Sequence, residues 1–470
     1  MLRATIDTIV PIVAGELLTG AADSVVAGLS IDTRDLDPGM LFVALAGEHV
    51  DGHDFLGDAV NLGARALIVT RNAEDLSDVL GAAAERGIAI IRVDSALRAI
   101  QSLAAWHRGR LHCPVVGITG STGKTSTKDL LASVLSTRFD IVSTSGNMNN
   151  ELGVPLTLLE ANPTTEVVVV EMGMRGTGQI AALCGIARPT LGLVTNVGTS
   201  HIELLQTQEA VADAKAELVA AVPEEGTVFL NGDDAYADRI SQVAHAPIVH
   251  YGLSARCSVR AEDIVLDAES RAEFALVGEG EPVRVALKVP GRHNVYNALA
   301  AAAVGLSLGC TPEEIAVGLG RAELSAMRMQ VFEAACGVTV VNDAYNANPV
   351  SMRAAVETLA SMQPEGRRIA VLGDMAELGS LTELAHFRLG ELVGRLPVDG
   401  LVTVGPRALR IAEGARAAGM DPGTVRPCAT VDEATEVLDD LLEPGDAVLV
   451  KASRVMGLER VVDGIVSPRA

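Results

Sequence analysis

Val116-Gly117-Ile118-Thr119-Gly120-Ser121-Thr122-Gly123-Lys124-Thr125 is an apolar strand running into a glycine-spaced turn, then a lysine and a hydroxyl. Backbone N–H groups at the start of a following helix can bind phosphate, the Lys124 amine can reach terminal phosphates, and the Thr125 hydroxyl can complete a magnesium shell. The general phosphate-loop pattern asks for a glycine where this chain has Ile118, and the glycines fall instead at 117, 120 and 123. The match is therefore to a spaced variant of that loop. Gly120, Ser121, Thr122, Gly123, Lys124, Thr125 and Ser126 are the candidate contacts for ATP or GTP. A glycine-rich turn that binds nothing is the alternative, and Lys-Thr directly after an apolar strand argues against it.

Length and charge bound the rest. A chain of 470 residues fits three domains of ordinary size. With 60 acidic against 37 basic residues, a formal charge of -23 opposes general attraction to nucleic acid or to an anionic membrane. An anionic substrate needs a local basic pocket. The cysteines at 113, 184, 257, 310, 336 and 428 show no close pair and no metal-ligand spacing, which suits reduced thiols in a cytosolic chain. Asp7 interrupts the first apolar run, and Ala298 to Val304 is too short to cross a bilayer. These features predict a soluble cytoplasmic protein without membrane insertion, and a monomer is the default.

Strand and helix signals alternate along most of the chain. Residues 1–110 read as a small α/β domain, with apolar runs at 41–45, 66–69 and 88–93 and a closing helix from Ala96 to Arg108 before Cys113-Pro114. Residues 111–320 read as a central domain on a buried parallel sheet, its near-continuous β-branched strands being Val115 to Thr119, Val167 to Val170 and Leu191 to Thr195. Residues 321–470 repeat the pattern as a Rossmann-like domain, with Gly373 and Gly405 directly after two of its strands. Ligands bind at the carboxyl ends of such sheets, which draws attention to Gly120, Glu171 and Asn196.

Glu171 emerges from four consecutive valines, where a carboxylate can bind magnesium bridging phosphates or can simply be a solvated strand end. His201 follows Thr195-Asn196-Val197-Gly198-Thr199-Ser200 at the same predicted sheet edge, so it reads as a metal ligand or a loop histidine. Lys215, in a helical segment from Ala210 to Val222, shows no obvious core stripe and reads on its own as a surface lysine.

With Lys124, Glu171, Asn196, His201 and Lys215 in this order, the chain resembles the Mur ligases, ATP-dependent amide-forming enzymes of peptidoglycan assembly. The resemblance extends over Ser30-Ile31-Asp32-Thr33-Arg34, Asp51-Gly52-His53-Asp54-Phe55, Ser145-Gly146-Asn147-Met148-Asn149-Asn150, Gly291-Arg292-His293-Asn294, Asp343-Ala344-Tyr345-Asn346-Ala347-Asn348-Pro349 and Leu372-Gly373-Asp374-Met375-Ala376-Glu377-Leu378-Gly379. It implies two magnesium ions held by Thr125, Glu171, His201 and Lys215, with Lys215 carbamylated so that a cation becomes a metal-binding anion. It also implies Asn294 near adenine, Asp343 near ribose with Asn346 in the same loop, and Arg328 on the γ-phosphate. A uridine diphosphate acceptor would lie against Ser30, Asp32, Thr33, Arg34 and Asn149, and the amine substrate near Lys451, Ser453 and Arg454.

Within the family, the Ser145 to Asn150 and Leu372 to Gly379 segments favour the member that joins D-alanyl-D-alanine to UDP-N-acetylmuramoyl-tripeptide. The Asp-Asn-Pro-Arg string common in the diamino-acid-adding member is absent. A folylpolyglutamate synthase would share the central machinery but not the first domain. A GTPase switch would want Asn-Lys-x-Asp, which is also absent. An inactive interaction module would leave the candidate metal ligands without purpose.

Overall fold

A computed structural model describes residues 1–47, 49–198, 202–278 and 280–466. By internal contacts the chain divides into two units, Met1–Gly117 with Phe139–Gly173 and Ala181–Thr190, and Ile118–Arg138 with Met174–Ile180 and Leu191–Ala470. The family-scale architecture is three α/β domains in sequence.

In the first unit, β1 (Glu16–Thr19), β2 (Leu29–Ser30), β3 (Leu41–Val43), β4 (Ala66–Val69) and β5 (Ala89–Arg92) form a five-stranded sheet in the order β1-β5-β4-β3-β2. All four residues of β4 are buried, as expected of a strand covered on both faces. Helix α1 (Ala96–Arg108) follows the predicted span to the residue; the Ser95 hydroxyl accepts from the Arg98 N–H and caps its start. Strand β6 (Val115–Thr119) carries the chain into the second unit, to which helix α2 (Lys124–Leu135) belongs; in the first unit β7 (Ile141–Ser143) pairs in parallel with β8 (Val167–Glu171).

In the second unit, β9 (Leu191–Val194) precedes the short helix α3 (Ile202–Leu205) and α4 (Gln208–Ala221). Strands β10 (Thr227–Asn231) and β11 (Ile248–Gly252) continue parallel pairing from β9. Strands β12 (Val259–Leu266), β13 (Arg271–Val277) and β14 (Val283–Pro290) then extend the ladder with antiparallel partners, which the sequence reading did not anticipate. Helices α5 (His293–Ser307) and α6 (Pro312–Arg321) complete this part, α6 opening with a capping box at Thr311 and Glu314.

The remaining elements are β15 (Gln330–Glu333), β16 (Thr339–Asn342), α7 (Pro349–Ser361), β17 (Arg368–Gly373), α8 (Thr382–Arg395), β18 (Gly400–Val404), α9 (Leu409–Ala417), β19 (Val425–Cys428), α10 (Val431–Leu441), β20 (Ala447–Lys451) and α11 (Glu459–Val466). Their six-stranded sheet has the order β15-β16-β20-β17-β18-β19, with β15 the antiparallel edge. One face packs on Met352, Val356 and Leu389, the other on Leu438, Leu458 and Val461, so apolar side chains cover both sides. The loops at the carboxyl ends of β16, β17 and β20 carry the residues singled out from sequence. No helix among the described residues is long and apolar enough to cross a membrane.

Candidate active site

The turn after β6 is shaped by two glycines that cannot be replaced without conflict. Gly120 has φ +153, and a Cβ there would lie 1.8 Å from the Thr195 hydroxyl; Gly123 has φ +78, and its Cβ would lie 2.5 Å from Asn297 Oδ1. Asn196 staples the turn. Its Oδ1 accepts from the Thr122 N–H at 3.0 Å and the Thr122 hydroxyl at 3.1 Å, while its Nδ2 donates to the Thr122 carbonyl at 3.1 Å. The Thr195 hydroxyl donates to that same carbonyl at 2.6 Å, and the Ser121 hydroxyl accepts from the Gly198 N–H at 2.8 Å. Lys124 Nζ donates to the Gly120 carbonyl at 2.8 Å, closing the turn across its mouth. Thr125 is buried in the first turn of α2, and Ser126 follows it.

Behind the turn, Asn297 Oδ1 accepts from the Thr127 hydroxyl at 3.2 Å and Asn297 Nδ2 donates to Asn294 Oδ1 at 2.8 Å. Asn294 in turn donates to the Pro290 carbonyl at 2.7 Å. The candidate adenine residue is thus fully buried and linked through Asn297 to the phosphate turn. Sequence reading missed Asn297, although its spacing from Asn294 sets both on one helical face ahead of an alanine run.

Lys215 lies on α4 and is 1% exposed, so the surface reading from its own sequence context is overturned. The helix is small-residue rich around it, and packing buried a position that periodicity left ambiguous. Burial drives its pKa well below the ordinary lysine value, the Lys124 charge lowers it further, and Asp234 opposes. Asp234, also missed, accepts from the Val197 N–H at 2.8 Å and the Tyr236 N–H at 2.8 Å. Tyr251 donates to the Val194 carbonyl at 2.9 Å, fixing the end of β9.

Arg328 is presented by a short arm before β15. Met327 and Met329 on either side have φ +58 and +47, a region that non-glycine residues seldom occupy. The arm is held by Met329 N–H to Asp343 Oδ1 at 3.2 Å and Tyr345 N–H to the Met327 carbonyl at 3.3 Å. The guanidinium lies 3.9 Å from the Tyr345 ring centroid, with Nη2 3.5 Å from Thr125 Oγ1. Upstream, Asp129 on α2 accepts from the Ser325 N–H at 2.7 Å and its hydroxyl at 3.1 Å, and pairs with buried Lys128 at 2.6 Å.

Asp343 also pairs with Lys451 Nζ at 2.5 Å, and Lys451 donates to the Asn346 carbonyl at 2.8 Å. Burial lowers the Lys451 pKa while Asp343 raises it. The same pair acts on His293, whose pKa burial pushes down to about 4. The Ser453 hydroxyl accepts from the Ala376 N–H at 2.8 Å, and Arg454 is exposed, paired with Glu459 at 2.9 Å.

The first unit holds the remaining candidates. Glu171 is 1% exposed; its Oε1 accepts from Asn149 Nδ2 at 2.7 Å, while buried Oε2 has no hydrogen-bond partner among the described residues. A buried half-satisfied carboxylate is costly unless a cation completes it, which fits a magnesium ligand. Among the described residues there is no group of three or more His, Cys, Asp or Glu that could hold a metal, and His201 lies outside the described residues. Asp32 grips exposed Arg34 through Nε at 2.9 Å, and this bond with the Arg34 backbone N–H lowers its pKa to about 2. Ser30 donates to the Asp32 carbonyl at 2.8 Å, and Thr33 opens the short helical turn between them and β3. The Asp51 to Phe55 motif is locally structural: Asp51 caps its turn, and His53 Nδ1 lies 2.6 Å from Asp51 while Nε2 accepts from the Thr70 N–H at 3.0 Å.

A glycine-cradled turn at the carboxyl end of a parallel strand, a buried lysine on which the loop lysine's charge acts, and an arginine laid on the loop threonine have the chemistry that phosphoryl transfer needs. Family models match residues 25–104 (Mur ligase family, catalytic domain), 118–305 (Mur ligase middle domain) and 327–454 (Mur ligase, glutamate ligase domain). The chain belongs to the Mur ligase family. It is 40% identical to a UDP-N-acetylmuramoyl-tripeptide--D-alanyl-D-alanine ligase of Mycobacterium bovis, over 99% of this chain and 98% of that one. The ligase of the same name from Bacillus subtilis is 34% identical over 99% of both chains. A crystal structure of MurF from Acinetobacter baumannii superposes with a TM-score of 0.86, at 30% identity and 99% coverage of both.

Proposed function

We propose that this chain joins D-alanyl-D-alanine to UDP-N-acetylmuramoyl-tripeptide with cleavage of ATP to ADP and phosphate, through an acyl phosphate, in peptidoglycan precursor synthesis. The observation that carries the reading is the end-to-end match, at 34 to 40% identity, with relatives named for that ligation. The phosphate turn with Arg328 on Thr125 supports its ATP half.

A carboxylate resists an amine because its charge repels attack and oxide cannot leave. The acceptor's terminal carboxylate therefore takes the γ-phosphoryl group first, giving ADP and the acyl phosphate. Lys124 exchanges the Gly120 carbonyl for phosphate oxygens, and Arg328, a rigid fork of donors, neutralises the transferring group. The amine of the dipeptide then attacks the acyl carbon, and phosphate leaves from the tetrahedral intermediate. Asn294 and Asp343 are assigned to the adenosine end with Asn346, Ser30, Asp32, Thr33, Arg34 and Asn149 to the uridine diphosphate acceptor, and Lys451, Ser453 and Arg454 to the dipeptide.

Magnesium, when bound, neutralises and orients the phosphate oxygens. Thr125, Glu171, His201 and Lys215 are the residues assigned to hold two such ions. A neutral Lys215 amine can add carbon dioxide and release one proton, leaving a carbamate anion; the burial that keeps the amine neutral supports this assignment.

ADP release measured with the two substrates added singly and together tests the proposal. Release that requires both UDP-N-acetylmuramoyl-tripeptide and D-alanyl-D-alanine is expected. Turnover with a free diamino acid replacing the dipeptide would overturn it.

A further inference from the structure

The segment after β17 is pinned at successive residues. Asp374 Oδ1 accepts from the Ala408 N–H at 2.7 Å, its carbonyl accepts from the Ser453 N–H at 3.1 Å, and the Ala376 N–H donates to the Ser453 hydroxyl at 2.8 Å. Between them the Met375 N–H donates to His386 Nε2 at 2.9 Å, from a fully buried imidazole on α8. His386 Nδ1 lies 2.7 Å from the Thr382 carbonyl, so Nδ1 must carry the proton and Nε2 must be the acceptor. The ring is thereby committed to its neutral form. A second proton would set N–H against N–H at Met375.

This pinned segment spans the carboxyl edge of the sheet. At its near end Ser453 follows β20, two residues beyond the Lys451 that grips Asp343 and, through it, the Arg328 arm. At its far end Gly379 packs on Glu203 of α3, where an added Cβ would lie 3.3 Å from Glu203 Cγ. The loop therefore bridges the strand ends of the last sheet and the segment after β9.

We propose that His386 is a positioning residue for the amine-bearing substrate, its neutral imidazole fixing the Met375 backbone and with it the loop 374–379, which is bonded at Asp374 and Ala376 to Ser453, a residue assigned to that substrate. The inference rests on the ligase reading above. The charged groups that act on the ring are Asp374 from the loop, Glu383 from α8 and Arg407 from the turn after β18; burial, joined by Arg407, outweighs the Thr382 carbonyl, Asp374 and Glu383 and lowers its pKa. The loop is held at neutral pH and released as pH falls through that lowered value.

Initial rates of ADP release, with D-alanyl-D-alanine varied at saturating ATP and tripeptide, test this on the full chain. His386→Leu is expected to raise the KM for the dipeptide about tenfold, the effect of one lost hydrogen bond, and to leave the KM for ATP within about twofold. His386→Gln, whose amide oxygen can accept from Met375, should restore the dipeptide KM to within about threefold and abolish the acid limb of kcat/KM for the dipeptide. An unchanged dipeptide KM in folded His386→Leu, or ATP and dipeptide KM values rising together, would overturn the inference. If His386→Leu does not fold, an unaltered acid limb in His386→Gln overturns it equally. A wild type that needs no dipeptide for ADP release defeats the ligase reading instead.

Discussion

Replacing Asn196 by alanine isolates the staple that shapes the phosphate turn. Its amide makes three hydrogen bonds to Thr122, at 3.0, 3.1 and 3.1 Å. Each is worth about 1 kcal/mol net, so the turn loses about 3 kcal/mol of its preference for the bound shape. At 1.4 kcal/mol per decade, kcat/KM for ATP should fall about 100-fold. Thr122 is partly exposed, so its freed groups can reach water and the thermal melt should move far less than activity. Asn196→Asp keeps an acceptor for the Thr122 N–H but sets a carboxylate oxygen against the Thr122 carbonyl, and adds negative charge beside the phosphates. It should be no better than alanine. A kcat/KM for ATP within about threefold of wild type in Asn196→Ala would refute the idea that this turn must be stapled before nucleotide arrives.

Lys215→Ala should abolish ADP release and regain part of it with added formate or acetate; no response to either would sink the carbamate assignment. Asp129→Ala removes the 2.6 Å ion pair of buried Lys128 and frees Ser325, so urea unfolding should show a larger loss than the about 1 kcal/mol of Ser325→Ala; equal losses would mean that the ion pair contributes nothing. Tyr345→Leu removes the ring under Arg328 and should lower kcat about two- to thirtyfold, the range of a cation–π contact of about 0.5–2 kcal/mol, with little change in the KM for the acceptor. Asp51 is held well below the usual carboxylate range by the His53 N–H, the His53 ring and Arg71. Its folded pKa is depressed, so its contribution is full above the unfolded value and is lost as pH falls toward the folded one. Asp51→Asn should melt lower than wild type at pH 7, and the gap should begin to narrow as pH falls below about 4 while staying open at about pH 3; a gap independent of pH would refute this.

The elements that could be read from the chain are those whose signals are local. The run Val115 to Thr119 and the helix Ala96 to Arg108 stand between sharp markers, Cys113-Pro114 and a Ser95 cap, and both occupy the residues expected. The phosphate turn is legible because its chemistry is consecutive in sequence. Lys215 was not, since Ala212, Ala214 and Ala216 beside it carry too little apolar surface to mark a stripe, and only tertiary packing buries the amine. The strands β12 to β14 escaped for a related reason. Each alternates charged with apolar residues, as in Arg284, Lys288 and the buried Val285, Leu287 and Val289 between and after them, so no continuous run announces them. Asn297, Asp234 and Asp129 each act on a partner far away in sequence, and single polar residues in helices and turns carry no mark of that.

Arg328 shows what the sequence cannot encode locally. A lone Met-Arg-Met string reads as surface, yet its arginine is fixed from both directions. The two left-handed methionines cost about 1–2 kcal/mol each. Two hydrogen bonds at about 1 kcal/mol apiece, one to the Asp343 carboxylate and one to the Met327 carbonyl, and a cation–π contact of about 0.5–2 kcal/mol offset this within the same range. The arm is thus nearly balanced without ligand. What tips it is shared: Asp129 belongs to the helix that opens with Lys124 and Thr125, and Asp343 is bonded to Lys451 at the end of β20. The helix of the phosphate turn and the carboxyl edge of the last sheet therefore both hold one arm, so the residue assigned to γ-phosphoryl transfer is set by contacts that also reach Lys451, assigned to the amine side.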